Sequence, residues 1–459
     1  MVKNKFNLLG SKTWLPFQKS WFRWQGEEQL LLDNFGFFTK SDEPNPHVFY
    51  AGSFNELAQK QASDFNLTLS TDINQQPDYQ FGFIDLRTEF ATAETFDQVN
   101  EILNNTKKLA HQLFDKLLHR RFLAVAIPQW ENETAYFPAA WELALRISNV
   151  YSLKDEKILC YHQNEIPTQA KEGIDTAYIL YFRKDEQSAG LQTPVVQQTY
   201  FKSIAKSPIE LAHEWFILKP PPRKKDEILH PAKFPEILPL KYIEQFSVEN
   251  DLIFDPMSGT GSTLVAALQL NRRALGTELS PFFASIAKNR IQQNLFNIQA
   301  ELLELDANLI GAEKLNDVSY IITSPPYWDM LNMKGAEYQA RRKEKGLQLN
   351  YSDNQNDFGN INDYEQFVDM LAKLYIKIGK QIKPESVMTI VVKNVKKKGK
   401  NYPLAWDLSL QLSAHFTLMP EQFWCQDDIN IAPYGYGNTW VSNTFHQYIL
   451  HFQTPKASL

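Results

Sequence analysis

A long internal repeat limits what this chain can fold into more than any single motif does. The stretch FPAAWELALRISNVYSLKDEKILCYHQ, beginning at Phe137, runs in register with YPLAWDLSLQLSAHFTLMPEQFWCQDD, beginning at Tyr402. At one constant offset Pro138 matches Pro403, Ala140 matches Ala405, Trp141 matches Trp406 and Cys160 matches Cys425. Leu143, Leu145, Ser148 and Leu153 match Leu408, Leu410, Ser413 and Leu418. The likeness continues outward. A helix-like segment from Phe96 to Leu117 parallels Tyr364 to Ile382. LAVAIP from Leu123 parallels VMTIVV from Val387, AYILYF from Ala177 parallels QYILHF from Gln447, and FGFIDLRTEF from Phe81 parallels YIITSPPYWD from Tyr320. Register kept through helix, turn and strand together predicts an α/β unit used twice, over residues 79–182 and again over 319–452, each in strand–helix–strand–helix–strand order.

The copies differ where chemistry would sit. The first has Asp85-Leu86-Arg87-Thr88 where the second has Ser324-Pro325-Pro326-Tyr327. The second is also preceded by FDPMSGTGSTLVAALQLNRRALGTELS, from Phe254. Its apolar run Leu252 to Phe254 ends in Asp255 and Pro256, then Gly259 and Gly261, then an apolar-periodic segment from Leu264 to Leu270. That order reads as strand, glycine turn, helix. Glycines let a ligand approach the backbone, and a helix start offers free N–H groups. A second apolar step, Ala274 to Gly276, leads to Glu278, and an acid at that strand end suits a ribose diol. No DPxxGxG counterpart precedes residue 79, so the first copy is expected to lack catalytic equipment.

Two further segments flank these: His230-Pro231-Ala232-Lys233-Phe234-Pro235-Glu236 and Thr323-Ser324-Pro325-Pro326-Tyr327-Trp328. Together with the glycine loop they resemble the amino-group DNA methyltransferases that use S-adenosylmethionine. The TSPPYW form is most similar to the cytosine-N4 branch, since adenine-N6 enzymes more often carry Asp or Asn before the prolines. The resemblance covers residues 226–330 well and continues loosely to the C-terminus. It implies a Rossmann-like methyltransferase α/β sheet with helices on both faces, preceded by a degenerate second copy of part of the same unit. Residues 1–205 would form the non-catalytic copy, serving DNA recognition or an interface, and residues 206–459 the catalytic domain. The catalytic set implied is Ser324, Pro325, Pro326 and Tyr327. The cofactor set is His230, Lys233, Asp255, Met257, Gly259, Gly261, Glu278 and Asp306, with no metal. Gly259 and Gly261 would pass beneath the methionine part and Glu278 would accept from the ribose. Asp306 would accept from the adenine amine or simply serve its turn, and Asp255 would hold the loop or the methionine ammonium. The loop begins DPM rather than the commoner DPF, and no obvious recognition domain follows the catalytic loop. Recognition would then fall to the first copy, to the polar insertion from Asn332 to Asn362, or to both.

Such a site answers a definite chemical problem. The exocyclic amine of a base is a poor nucleophile because its lone pair is delocalised into the ring. A site must let the nitrogen become tetrahedral, which acceptors for the amine hydrogens achieve. Ser324 offers a hydroxyl, Pro325 a backbone carbonyl aimed by the rigid double proline, and Tyr327 a ring to stack on the base. The gain is positioning and dipole stabilisation, and in duplex DNA the base must first be flipped out. Adenine-N6 methylation of DNA, guanine-N2 or adenine-N6 methylation of RNA, and a non-catalytic nucleic-acid-binding protein with the same fold are the competing readings.

A chain of 459 residues suits two domains, and 43% hydrophobic with 22% charged residues is ordinary for a globular protein. Two cysteines argue against a disulfide framework, and no run reaches the ~18 apolar residues of a membrane span. A cytoplasmic protein without a membrane partner is expected. The net charge of −6 means that double-stranded DNA would have to meet local basic patches. Candidates are Lys393, Lys396, Lys397, Lys398 and Lys400, with Lys107, Lys108, Arg120 and Arg121 in the first copy. A duplicated fold could act as its own pseudo-dimer, leaving the chain monomeric, and a restriction or defence partner stays open. The aromatic crowd Trp14, Phe17, Trp21, Phe22 and Trp24 is expected to pack in a core.

Overall fold

The structure, a computed structural model, describes residues 7–40, 42–161, 175–186, 201–211, 213–219, 235–293, 298–328, 357–397, 399–427 and 444–457. Within them two large sheets carry one strand order. The first is built from β1 (Trp21–Arg23), β2 (His47–Ala51), β3 (Thr68–Ser70), β4 (Tyr79–Asp85), β5 (Leu117–Ile127), β6 (Ser152–Cys160) and β7 (Thr176–Arg183), in the order β1-β6-β7-β5-β4-β2-β3. The second uses β8 (Trp215–Ile217), β9 (Leu252–Asp255), β10 (Arg273–Glu278), β11 (Ala300–Glu304), β12 (Val318–Thr323), β13 (Val387–Val392), β14 (Gln422–Cys425) and β15 (His446–Gln453), in the order β8-β14-β15-β13-β12-β9-β10-β11. In each, β7 or β15 runs antiparallel to both of these neighbours and the other pairings in the order are parallel. The shared order begins at β1, well before residue 79, where the sequence likeness starts. Strands β1 and β3 have three residues each, too few to show a match. The second sheet alone has β11.

The central strands are buried on both faces and are accordingly near-continuous apolar runs. Every residue of YQFGFID in β4 and of VMTIVV in β13 is buried. The long helices α3 (Phe96–Lys116) and α8 (Tyr364–Gly379) connect β4 to β5 and β12 to β13. Each starts at a side-chain cap: Thr95 Oγ1 accepts from Gln98 N at 3.3 Å, and Asp363 Oδ1 accepts from Gln366 N at 2.8 Å. The N-terminal aromatics do pack: Phe17 and Trp21 are buried, and Trp14, Phe22 and Trp24 are half-buried. Among the described residues no helix is long and apolar enough to cross a membrane.

The two halves meet through contacts that come in mirrored pairs. The Trp141 and Trp406 rings stack at 6.1 Å; they lie on α4 (Ala139–Ile147) and α9 (Leu404–Leu412). Trp141 Nε1 donates to Tyr178 OH and Trp406 Nε1 to Tyr448 OH, at 2.9 and 3.1 Å. Tyr178 OH donates across to Glu421 and Tyr448 OH across to Glu156, at 2.5 and 3.0 Å. Gln129 Nε2 donates to Glu421 at 2.7 Å and Asn394 Nδ2 to Glu156 at 2.8 Å. Trp21 Nε1 donates to Gln426 O at 3.0 Å and Trp215 Nε1 to Tyr161 O at 2.8 Å. Cys160 and Cys425 sit with sulfurs 4.0 Å apart. Each buried carboxylate is thus satisfied by side-chain donors of the opposite half, as burial of a carboxylate requires.

Candidate active site

In the second sheet the chain leaves β9 for β10 and β11, then returns to place β12 on the other flank of β9. A crevice opens beyond the carboxyl ends of the strands where the order reverses in this way. Here it is a cleft open to solvent, with a cavity volume of about 80 Å³. The turn after β9 supplies Pro256, Met257 and Gly259. Glu278 comes from the end of β10, Leu305 and Asp306 follow β11, and Ser324, Pro325 and Pro326 follow β12. Phe283 lines it from α7 (Pro281–Gln293).

Glu278 is the cleft's central acid. Its Oε2 accepts from Gly259 N and its Oε1 from Ser280 N, both at 2.8 Å. The carboxylate therefore ties the glycine loop to the end of β10 while lining the cleft. Burial pushes its pKa up to about 7. Asp306 Oδ1 accepts from Asn308 N at 2.9 Å and Asn308 Nδ2 at 3.1 Å, leaving Oδ2 out of both bonds. It therefore caps its turn and lines the cleft at once.

Two residues of the expected cofactor set, Asp255 and Gly261, are not among those lining the cleft. Asp255 is buried, with Oδ2 accepting from Thr263 Oγ1 at 2.7 Å and Oδ1 accepting from Thr323 Oγ1 at 2.8 Å and Met257 N at 3.0 Å. It clamps the ends of β9 and β12 to the start of α6 (Ser262–Gln269), and of its two expected tasks it performs loop holding. Burial pushes its pKa up to about 6. Gly261 has φ +80°, and a Cβ there would stand 2.9 Å from Ala287 Cβ on α7. Close packing against α7 by itself requires glycine there. Gly259, at φ +52°, is the glycine that lines the cleft. His230, Lys233 and most of HPAKFPE lie outside the described residues.

Tyr327 sits beside the cleft. Its hydroxyl lies 3.1 Å from Ser324 Oγ and donates to Gln447 Oε1 at 2.7 Å. Trp328 closes the loop at φ +49°, its ring 4.6 Å from that of Tyr402 and 5.2 Å from that of Tyr364. Asp357 and Phe358 also line the cleft. Sequence reasoning missed both, and Gln447 too. Asp357 and Phe358 fall inside the segment read as one polar insertion, of which residues 332–356 lie outside the described ones.

The basic candidates fare unevenly. Lys396 pairs with Asp155 across the halves, Lys393 Nζ donates to Thr444 O at 3.0 Å, and Lys397 Nζ stands 4.4 Å from the Trp328 ring centroid. Arg121 is buried against Glu43, while Arg120 and Lys400 are exposed. Lys398 lies outside the described residues. In the first half an ion-pair cluster stands at the place of the SPPY turn. Arg87 is buried and donates to Asp85 Oδ1 and Oδ2 at 2.8 and 2.6 Å, to Glu27 at 2.5 Å and to Tyr161 OH at 3.2 Å.

Comparison with known proteins gives a family match that runs across both halves. The N6/N4 family model described as DNA methylase matches residues 60–289, half of the chain. The orphan methyltransferase M.BamHII of Bacillus amyloliquefaciens is 43% identical over 63 residues, 14% of this chain and 24% of that protein. The type II methyltransferase M.MjaI of Methanocaldococcus jannaschii is 29% identical over 142 residues, 28% of this chain and 42% of that protein. The matches thus span less than half the length of either relative. Among solved structures, a methyltransferase from Pyrococcus furiosus is 13% identical, with a TM-score of 0.30 over 49% of this chain and 87% of that one. The family match runs through the glycine loop and Glu278, the two features that build the near wall of the cleft, and on it the chain belongs to the N6/N4 family of DNA methylases.

Proposed function

We propose that the protein is a site-specific DNA methyltransferase that moves a methyl group from S-adenosylmethionine to the exocyclic amine of a flipped base, cytosine N4 ahead of adenine N6. One observation carries the reading: a single cleft joins the glycine loop and Glu278 on one wall to Ser324, Pro325 and Pro326 on the other. The donor set fits the cofactor. Glu278 and Asp306 present carboxylates for a ribose diol and an adenine amine, Phe283 and Leu305 present apolar surface for the ring, and Gly259 keeps the floor low. When bound, S-adenosylmethionine supplies a methyl group on a positively charged sulfur.

The chain's own residues then deal with the amine. Ser324 Oγ and the Pro325 carbonyl accept its hydrogens, which draws the nitrogen lone pair out of the ring. The prolines fix the direction of the carbonyl, since their φ is locked. No side chain has to remove a proton before transfer, because the amine sheds it to solvent once the bond to carbon has formed. Serine before the prolines favours cytosine N4. Residues 206–459 carry this chemistry; residues 1–205, with Arg87 paired to Asp85 and Glu27 at the corresponding turn, serve DNA recognition or the interface. The protein works as a single chain in the cytoplasm, its halves replacing the subunits of a dimer.

The test is Ser324→Ala. Removing one preorganised acceptor should lower turnover on DNA by ~10²–10³ while S-adenosylmethionine affinity by calorimetry stays near wild type. Turnover within twofold of wild type would remove Ser324 from the mechanism.

A further inference from the structure

The Ser324–Tyr327–Gln447 chain has a direction. A tyrosine hydroxyl carries one proton, and Tyr327 gives it to Gln447 Oε1 at 2.7 Å. The 3.1 Å contact between Ser324 Oγ and Tyr327 OH is then made with the serine proton. Ser324 is left with lone pairs and no free proton, the state an acceptor for amine hydrogens needs. In the opposite polarity Tyr327 would donate to Ser324 and free the serine proton to point at the amine, donor against donor. Burial pushes the Tyr327 phenol up to about 12, so the middle link keeps its proton throughout the working pH range.

The molecule contains its own control. Gln447 pairs with Trp424 between β15 and β14, and in the first sheet the same register place pairs Leu159 with Ala177. The flanking matches Tyr178/Tyr448, Leu180/Leu450 and Phe182/Phe452 are kept, yet Gln447 has become alanine. The other two links are lost with it, Asp85 standing for Ser324 and Thr88 for Tyr327. The glutamine is present in the half that keeps the SPPY turn and absent from the half that lost it, although it lies on a different strand.

We propose that Gln447 is a positioning residue for methyl transfer: acting through Tyr327, it fixes Ser324 Oγ as an acceptor facing the target amine. The proposal rests on methyl transfer at Ser324. It is tested with Gln447→Leu, Tyr327→Phe, the double variant and Gln447→Glu, measuring single-turnover methylation of duplex DNA and S-adenosylmethionine affinity. Gln447→Leu and Tyr327→Phe should each slow transfer about 10- to 100-fold, as misplacement of a reacting group does. Cofactor affinity should stay within about twofold of wild type, the double variant should be no slower than the worse single one because both break one path, and Gln447→Glu, which can only accept, should restore the rate. Full activity in Gln447→Leu beside an impaired Ser324→Ala overturns the role of Gln447 and leaves the methyl-transfer reading standing. Additive losses in the double variant, or failure of Gln447→Glu to restore the rate in a folded protein, overturn the relay. Full activity in Ser324→Ala overturns the reading on which it rests.

Discussion

Glu278→Gln isolates the acid at the centre of the cleft. Both carboxylate oxygens accept backbone N–H groups, from Gly259 and from Ser280, each at 2.8 Å. An amide of the same shape keeps one acceptor and turns its NH₂ toward the other N–H, so one of these bonds is lost. A hydrogen bond to a charged group contributes ~1.5–3 kcal/mol, and each ~1.4 kcal/mol is a factor of ten in affinity. The glycine loop loosens and the cleft loses a negative charge facing a cationic cofactor, so S-adenosylmethionine affinity should fall about 10- to 100-fold. The pH dependence has a definite sign. Burial raises the Glu278 pKa to about 7, so the carboxylate forms only as pH rises through that value, and wild-type affinity should tighten from pH 6 to pH 8. The contribution to folding runs the other way: a raised carboxyl pKa favours the neutral folded form, present below the ordinary value of 4.5 and lost as pH rises through 7. Calorimetry at several pH values checks both arms. Wild-type affinity that is flat over this range, or a folded Glu278→Gln protein binding within twofold of wild type, would refute the reasoning.

Two further substitutions test the frame around the site. Gly261→Val should unfold or strongly destabilise the catalytic half, since φ +80° costs a side chain ~1–2 kcal/mol and the clash with Ala287 adds ~1–3 kcal/mol; a stable protein in a thermal melt would contradict it. Trp406→Ala removes half of the stack with Trp141 and should cost ~3–5 kcal/mol; denaturation showing less than ~1 kcal/mol would mean that the halves do not depend on this contact.

What the sequence made legible is what local chemistry dictates. Positive φ at Gly259 and Gly261 follows from a strand that must turn sharply into a helix, and an acid at the end of β10 is visible from the apolar step before it. The succession of strands and helices along both halves was readable from β4 onward because long buried strands keep apolar residues in register. It was not readable over β1–β3, where short strands held by tertiary pairing leave no residue matches. The packing of Gly261 against Ala287 was not readable, because a glycine beside a ligand and one beside a helix look alike in sequence. Arg121 and Lys396 read as basic surface, yet Glu43 and Asp155 come to them only through the fold. Asp357 was hidden by a long polar insertion. Gln447 reaches Tyr327 only because β15 lies where the sheet puts it.

The central claim is that this cleft methylates an exocyclic amine in DNA. Duplex DNA incubated with the protein and methyl-labelled S-adenosylmethionine, digested to nucleosides and analysed by mass spectrometry, tests it most directly. The account predicts labelled N4-methylcytosine, absent when Ser324→Ala replaces the wild type. Label appearing only as N6-methyladenine would overturn the choice of base, and DNA without label beside labelled RNA would contradict the account itself.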